Sequence, residues 1–332
     1  MADIELRSIT KRYPDVTAVD SVSLQVKDGR FVVLLGPTGA GKTTTLRLIS
    51  GLEAPDDGTV HIGGRDVTSE SPAQRDVAMV FQQYSLYPHL TVRQNLEFPL
   101  KSPMLKTPAA EITGKVEKVA DVLQISHKLS NKATELSGGE MQRVSIGRAL
   151  VRSPSVFLMD EPLSSLDAKL RADLRIELKR LQSELGATML YVTHDQIEAM
   201  TLATEVGVLD EGRLVQFGTP REVYEDPNSV YVATRLGLPR INTIPADLFG
   251  GVPSNVSTLG LRPEHIQFGE GQTSTVTRVE HLGDQIRLHV DVSGHRLITL
   301  AEPHTTAHVG DTVKVQPVNP LYFDSEGQRV RH

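Results

Sequence analysis

Eight consecutive residues, Gly36-Pro37-Thr38-Gly39-Ala40-Gly41-Lys42-Thr43, carry the clearest chemistry in the sequence. They follow the apolar run 31–35 and lead into residues 42–50, which read as a helix. That order of strand, glycine-rich loop and helix is the context a phosphate-binding loop requires. Gly36, Gly39 and Gly41 can take positive φ, which lets main-chain N–H groups point into one concavity. The helix N-terminus behind them aims partial positive charge at the same place. Lys42 can reach β- and γ-phosphates, and the Thr43 hydroxyl can ligate Mg²⁺. The expected ligand is a nucleoside triphosphate, held by residues 36–43 with Thr44 beside them.

Phosphate loops serve many enzymes, so the other strand ends must decide the chemistry. Asp160-Glu161 closes the apolar run 156–159. Its strand is expected beside the phosphate-loop strand, where open α/β sheets bind ligands. Asp160 would then hold Mg²⁺, directly or through water. Glu161 could orient or deprotonate a water behind the γ-phosphate, a role worth on the order of 10²–10⁴-fold in rate. His194 closes a second apolar run, 190–193, and could offer an imidazole N–H to the γ-phosphate; a strand-end histidine can equally be a structural hydrogen-bonder. Gln82 ends a third, 77–81, with an amide able to reach Mg²⁺ or the attacking water.

The elements that must position these groups alternate between strand and helix across residues 30–210, which implies an α/β domain with a mostly parallel sheet. Residues 3–9 and 21–27 read as strands, with Tyr13 on the loop between them. Gly63-Gly64 marks a hairpin. Residues 91–150 read as helical, broken at 101–108, within a helical subdomain of about 84–152. Ile112, Val116, Val119 and Leu123 fall on one helix face. The stretch 242–260 is rich in Pro, Gly, Ser and Asn, as a linker would be. Beyond it Ile286, Leu288, Val290 and Val292 alternate with polar residues, the period of a small all-β barrel. The expected domains are 1–235 and 236–332.

Composition narrows the function class. With 332 residues, 41 Asp+Glu against 35 Lys+Arg, and no cysteine, the chain is mildly acidic and excludes disulfides and thiolate metal sites. It shows no concentrated basic face for nucleic acid. No apolar run approaches the roughly 20 residues that span a bilayer. The acidic N-terminus does not read as a signal peptide, and direct membrane insertion is not expected. The histidines beyond residue 260, His304 and His308 among them, read as solvated surface rather than a metal site.

Leu136-Ser137-Gly138-Gly139-Glu140 resembles the signature motif of ATP-binding cassette (ABC) transporter ATPases. Tyr13, the loop 36–43, Gln82, the signature, Asp160-Glu161, residues 165–168 and His194 follow in that family's order, so the resemblance spans the chain. Residues 84–90, 161–167 and 261–265 resemble the sugar-importer branch, of the maltose and glycerol-phosphate type. The resemblance implies an ABC-type ATPase domain with a helical subdomain, then an OB-like β domain. It implies a head-to-tail homodimer, with each ATP between one copy's phosphate loop and Ser137, Gly138, Gly139, Glu140 and Asp167 of the other. Tyr13 would stack on adenine, worth ~1–3 kcal/mol by analogy with base–aromatic stacking. Tyr84, Leu86, Tyr87, Pro88 and His89 would receive a helix of a membrane permease. The implied partners are two permease subunits and an extracytoplasmic solute-binding protein, with the chain on the cytoplasmic face of the membrane. A sugar, glycoside or glycerol-phosphate-like cargo is implied, with polyamine or oxyanion importers and soluble ABC ATPases as alternatives. One position departs from the pattern: the usual signature ends in glutamine. A carboxylate near phosphate is unfavourable, so Glu140 is expected to point away or to pair with a cation. The C-terminal domain also looks short for the branch.

Overall fold

The computed structural model describes residues 2–103 and 107–331, so part of the expected break at 101–108 lies outside the described residues. The chain divides into two compact units, Met1–Pro220 and Arg221–His332.

The first unit begins with a hairpin, β1 (Ile4–Tyr13) and β2 (Val16–Val26), then β3 (Phe31–Leu35), α1 (Lys42–Ser50), the hairpin β4 (Asp57–Ile62) and β5 (Arg65–Asp66), and β6 (Val77–Val80). Helices α2 (Val92–Glu97), α3 (Ala109–Val122) and α4 (Gly138–Leu150) follow. The chain then runs through β7 (Val156–Asp160), α5 (Ala168–Leu185), β8 (Thr188–Thr193), α6 (Gln196–Leu202), β9 (Glu205–Asp210) and β10 (Arg213–Gly218). Every residue of β3, β7 and β8 is buried, which is what continuous apolar runs become when both faces of a parallel strand are covered. The main sheet has the order β10-β9-β3-β8-β7-β6, parallel except for the β9–β10 hairpin. A separate antiparallel sheet, β2-β1-β4-β5, shares one core with it and with α1.

Two sequence expectations change here. The strand bearing Asp160 does not lie beside β3: the chain leaves β7 through α5 and returns as β8, which takes the place between them. Tyr13 is not on an open loop, because β1 extends to it and pairs it with Val16 across a tight turn. The hairpin at Gly63-Gly64 pairs Ile62 with Arg65.

Helix α1 is held at both ends. Gly41 caps its N-terminus and Gly51 its C-terminus, both left-handed. The Arg75 side chain, only 2% exposed, donates to the Leu48 and Ile49 carbonyls at 2.7 and 3.0 Å, serving orphan acceptors of the last turn. Helices α2, α3 and α4 pack on one another. Of the expected apolar face on α3, Ile112, Val116 and Leu123 are buried and Val119 half-buried.

The second unit takes in most of α7 (Pro220–Glu225), then α8 (Val230–Ala233), β11 (Asn242–Pro245), β12 (Thr258–Leu261), β13 (Ile266–His281), β14 (Ile286–Val292), β15 (His295–Ala301), β16 (Thr312–Pro317), β17 (Leu321–Phe323) and β18 (Arg329–Val330). Two antiparallel sheets, β11-β12-β17-β18 and β15-β14-β13-β16, enclose its main core. Residues 242–260 are therefore not a linker. The buried Asn242 amide donates to the Leu261 and Ile298 carbonyls at 3.0 and 2.8 Å and accepts from the Ile298 N–H at 2.7 Å, pinning β11 into the unit. Buried Arg262 sets the near boundary ahead of the expected 235/236. Its guanidinium donates to the carbonyls of Tyr224, Ala233 and Leu236, and a buried guanidinium requires such acceptors.

Candidate functional site

At the end of β3 the chain turns through the phosphate loop. Gly39 and Gly41 are left-handed, with φ of 86° and 93°. Gly36 is not: it is glycine for space, because a Cβ there would lie 2.8 Å from the Leu209 carbonyl and 2.9 Å from Ala40 Cβ. Lys42 is buried, and its Nζ donates to the Gly36 and Pro37 carbonyls, each at 2.9 Å, while lying 3.6 Å from Glu161 Oε1. Burial lowers its pKa and Glu161 opposes that shift. Buried Ala40 turns its N–H to Pro37 within the loop. Tyr13, Thr38, Gly39, Gly41, Lys42, Thr43, Thr44, Gln82 and Glu161 line one cleft of about 460 Å³.

The Thr43 hydroxyl donates to Asp160 Oδ1 at 2.8 Å across the intervening strand β8. Burial raises the Asp160 carboxyl above its ordinary value, and the Thr43 hydrogen bond works against that rise. A hydroxyl, a buried carboxylate and the Gln82 amide at the cleft rim are hard oxygen donors of the kind Mg²⁺ takes, so these residues fit the ion. Glu161 sits at φ +44°, a strained position for a non-glycine residue and one often found where a side chain must be aimed. Its carboxylate meets Lys42 on one side and His194 Nδ1, at 2.9 Å, on the other. His194 spends only that nitrogen on Glu161 and is largely exposed, so its opposite edge is open to a ligand.

Beneath His194, α6 is tied to the end of β8. Buried Glu198 accepts from Tyr191 Oη at 2.8 Å and from Thr193 Oγ1 at 2.6 Å. Burial raises the carboxyl of Glu198 and pushes the Tyr191 phenol well up. Nothing in the local pattern around Glu198 marks this anchor, since it forms only when strand and helix close on each other.

The signature lies outside the lining of that cleft. Ser137 caps α4, and Glu140 turns back onto it: Glu140 Oε2 accepts from the Ser137 N–H at 2.8 Å and from its hydroxyl at 2.9 Å. Glu140 Oε1 lies 3.1 Å from Lys128 Nζ. The Ser137 N–H, with help from Lys128, holds the Glu140 carboxyl below its ordinary value. The expected cation is thus Lys128. The Ser-x-x-Glu spacing is a capping-box pattern and makes the turn of Glu140 legible in sequence; Lys128, on a separate turn, has no such signal. Gly139 packs directly against Leu170 at the start of α5: a Cβ there would fall 1.9 Å from Leu170 Cδ2 and would displace that side chain. Asp167 caps that helix, accepting from the Leu170 N–H at 3.0 Å.

The loop after Gln82 is partly packed. Tyr84 donates to or accepts from Ser165 Oγ at 3.1 Å, so its hydroxyl faces the turn before α5. Tyr87 packs on Phe98, with ring centroids 4.3 Å apart, and under the Arg148 guanidinium. The buried Asn95 amide accepts from the Tyr87 N–H and donates back to its carbonyl. Leu86 is half-buried, while Pro88 and His89 are exposed. Beside them Phe81, Tyr84, Ser85, Arg148 and Arg152 line a groove of about 210 Å³ between β6 and α4.

A phosphate loop at the C-terminal end of an inner strand of a parallel sheet, with a carboxylate pair and a histidine converging on it, defines a phosphate-loop nucleotide hydrolase. Comparison with known proteins identifies which kind. The family described as "ABC transporter" matches residues 19–164, and the TOBE domain matches residues 259–319. The chain is 45% identical to the sn-glycerol-3-phosphate import ATP-binding protein UgpC 1 of Rhizobium etli, over 99% of both chains. A bacterial ABC transporter cassette solved as a dimer superposes with a TM-score of 0.60 at 31% identity, covering 66% of this chain and 99% of that one. A cassette dimer in a post-hydrolysis state with ADP and Pi gives 0.59 at 30% identity, covering 66% and 99%. The chain belongs to the ABC transporter family, as an ATP-binding subunit that hydrolyses ATP in the service of transport, and the β-strand part of its C-terminal unit is a TOBE, OB-like domain. Among the described residues no helix is long and apolar enough to cross a membrane.

Proposed function

We propose that this protein energises the import of a glycerol-phosphate or related sugar-like solute, working as a homodimer on the cytoplasmic face of a two-subunit permease fed by an extracytoplasmic binding protein. The observation that carries the reading is the half-built site. One chain supplies a phosphate loop with its carboxylates, and it carries the signature on a different surface. Likeness to importers named for sn-glycerol 3-phosphate along the whole chain supports the cargo class.

In this reading residues 36–44 hold the phosphates of ATP and Tyr13 lies against its adenine. Lys42 leaves the Gly36 and Pro37 carbonyls for the β- and γ-phosphates, which also loosens its hold on Glu161. Glu161, aimed by its strained backbone and by His194, accepts the proton of the attacking water. His194 presents its other ring edge to the γ-phosphate. Thr43, Gln82 and Asp160 would hold Mg²⁺, which neutralises charge on the β- and γ-phosphates. Ser137, Gly138, Gly139 and Asp167 complete the site from the facing copy. ATP thereby favours the closed dimer, because only that state offers it both surfaces. The groove beside Tyr84 and Arg148 receives a permease helix, with Leu86, Pro88 and His89 further along the same loop and Tyr87 bracing it against Phe98.

The test is purification from detergent-solubilised membranes, followed by reconstitution with the co-purified permease and a binding protein. The reading expects sn-glycerol 3-phosphate or a related solute to stimulate ATP hydrolysis. Recovery of no integral membrane protein would remove the importer reading, and stimulation only by polyamines or oxyanions would move the cargo class.

A further inference from the structure

Glu140 replaces an amide with a charge at the point where the signature is to meet phosphate. Its carboxylate accepts from both the N–H and the hydroxyl of Ser137, at 2.8 and 2.9 Å, and its other oxygen reaches Lys128 at 3.1 Å. A hydroxyl has one proton, so while Ser137 donates it to Glu140 it has none for a phosphate oxygen. A carboxylate grips that proton harder than a carboxamide oxygen would, because charged acceptors make the stronger bonds. It also places negative charge one hydrogen bond away from whatever Ser137 touches. Lys128 offsets that charge. The two side chains are 29% and 24% exposed, so water and salt screen the pair less than they would a fully open one.

We propose that Glu140 and Lys128 form a latch on Ser137 that sets how much ATP is needed to close two copies. Glu140 holds the hydroxyl back from the γ-phosphate of the facing copy, and Lys128 eases the latch by drawing the carboxylate's charge toward itself. The inference rests on the reading that Ser137 meets ATP bound to a second copy. Both groups are positioning residues, since they act through Ser137. A purely structural role has a different signature. If the pair only capped α4, losing Lys128 or the Glu140 charge would weaken closure alike or leave it unchanged.

The experiment uses the full chain in a Glu161→Gln background, titrated with Mg²⁺-ATP, with dimer formation read by sedimentation. Glu140→Gln keeps an acceptor for the cap but removes the charge. It should lower the ATP concentration for half-closure by about tenfold, the size expected of one partly screened charge near phosphate. Lys128→Ala should raise that concentration, and Lys128→Arg should stay near the parent. Lys128→Ala combined with Glu140→Gln should return to the Glu140→Gln value, and added salt should shrink the Lys128→Ala shift. Shifts of the same sign for Lys128→Ala and Glu140→Gln, or no shift for Glu140→Gln, would overturn the latch. If the parent itself forms no ATP-dependent dimer, the dimer reading fails and the latch falls with it.

Discussion

The phosphate-loop surface and the signature surface, the two proposed to meet ATP, are built in opposite ways. Around the phosphate loop, Thr43 meets Asp160, Lys42 meets Glu161, and Glu161 meets His194, each bond joining elements far apart in the chain. At the signature, Ser137 bonds Glu140 and Asp167 bonds the N–H of Leu170, each only three residues away. The first surface is a cleft whose geometry is set by the whole sheet. The second is a pair of helix starts brought close by Gly139, satisfied locally and facing outward. A pocket assembled from the sheet can bind nucleotide alone, whereas a surface of capped helix ends needs a ligand delivered to it. On the proposed reading, that difference makes one copy half an enzyme.

Damage to each surface should therefore fail differently. The largest effect is expected from Glu161→Gln, which should cut steady-state hydrolysis by about 10²–10⁴-fold while leaving ATP binding and ATP-dependent dimerisation in place. Near-normal turnover would show that the base lies elsewhere. Next comes Gly139→Val. An added Cβ would fall 1.9 Å from Leu170 Cδ2, so the Leu170 side chain must turn aside beside the signature; dimer closure should weaken while ATP still binds the phosphate loop, as read by nucleotide titration.

Asp160→Asn separates function from stability. Burial raises the Asp160 carboxyl, so the folded chain holds that proton more tightly than the unfolded one. The stabilising contribution of this group is complete below the ordinary carboxylate range and is lost as pH rises through the raised value. At neutral pH the ionised carboxylate thus opposes folding. Asp160→Asn should raise Tm of the nucleotide-free protein by a few degrees and still abolish hydrolysis; a lower Tm would mean that the Thr43 bond outweighs burial. The smallest effect on stability is expected from Asp167→Ala: in the nucleotide-free protein it removes the cap of α5, worth about 1 kcal/mol, and should appear as a modest fall in Tm.

Much of the phosphate-loop surface was legible in the sequence, because its residue types stand at or just past the ends of apolar strands of the main sheet. The order of those strands was not. Nothing in 156–160 says that β8 will insert between β3 and β7, since strand neighbours are chosen by crossover geometry and packing of the finished sheet. The role of Gly36 was misread for a related reason: its need for space comes from Leu209, far along the chain. In the second unit, composition at 242–260 suggested a linker, but its two ends pair as β11 and β12, and the Asn242 amide bonds across to Leu261 and Ile298. Local patterns such as the capping box at Ser137 survive into the structure. Long-range partners such as Lys128 have no local trace.

The claim that each site is shared between copies is tested most directly by mixing two inactive variants, Lys42→Ala and Ser137→Arg. In a head-to-tail dimer of one of each, both lesions fall in the same site and the other site is intact. Neither variant should hydrolyse ATP alone, and an equal mixture should recover about a quarter of the wild-type rate, since about half of the dimers are mixed and each has one working site. No recovery, in a mixture where tagged chains are seen to pair, would contradict the shared site.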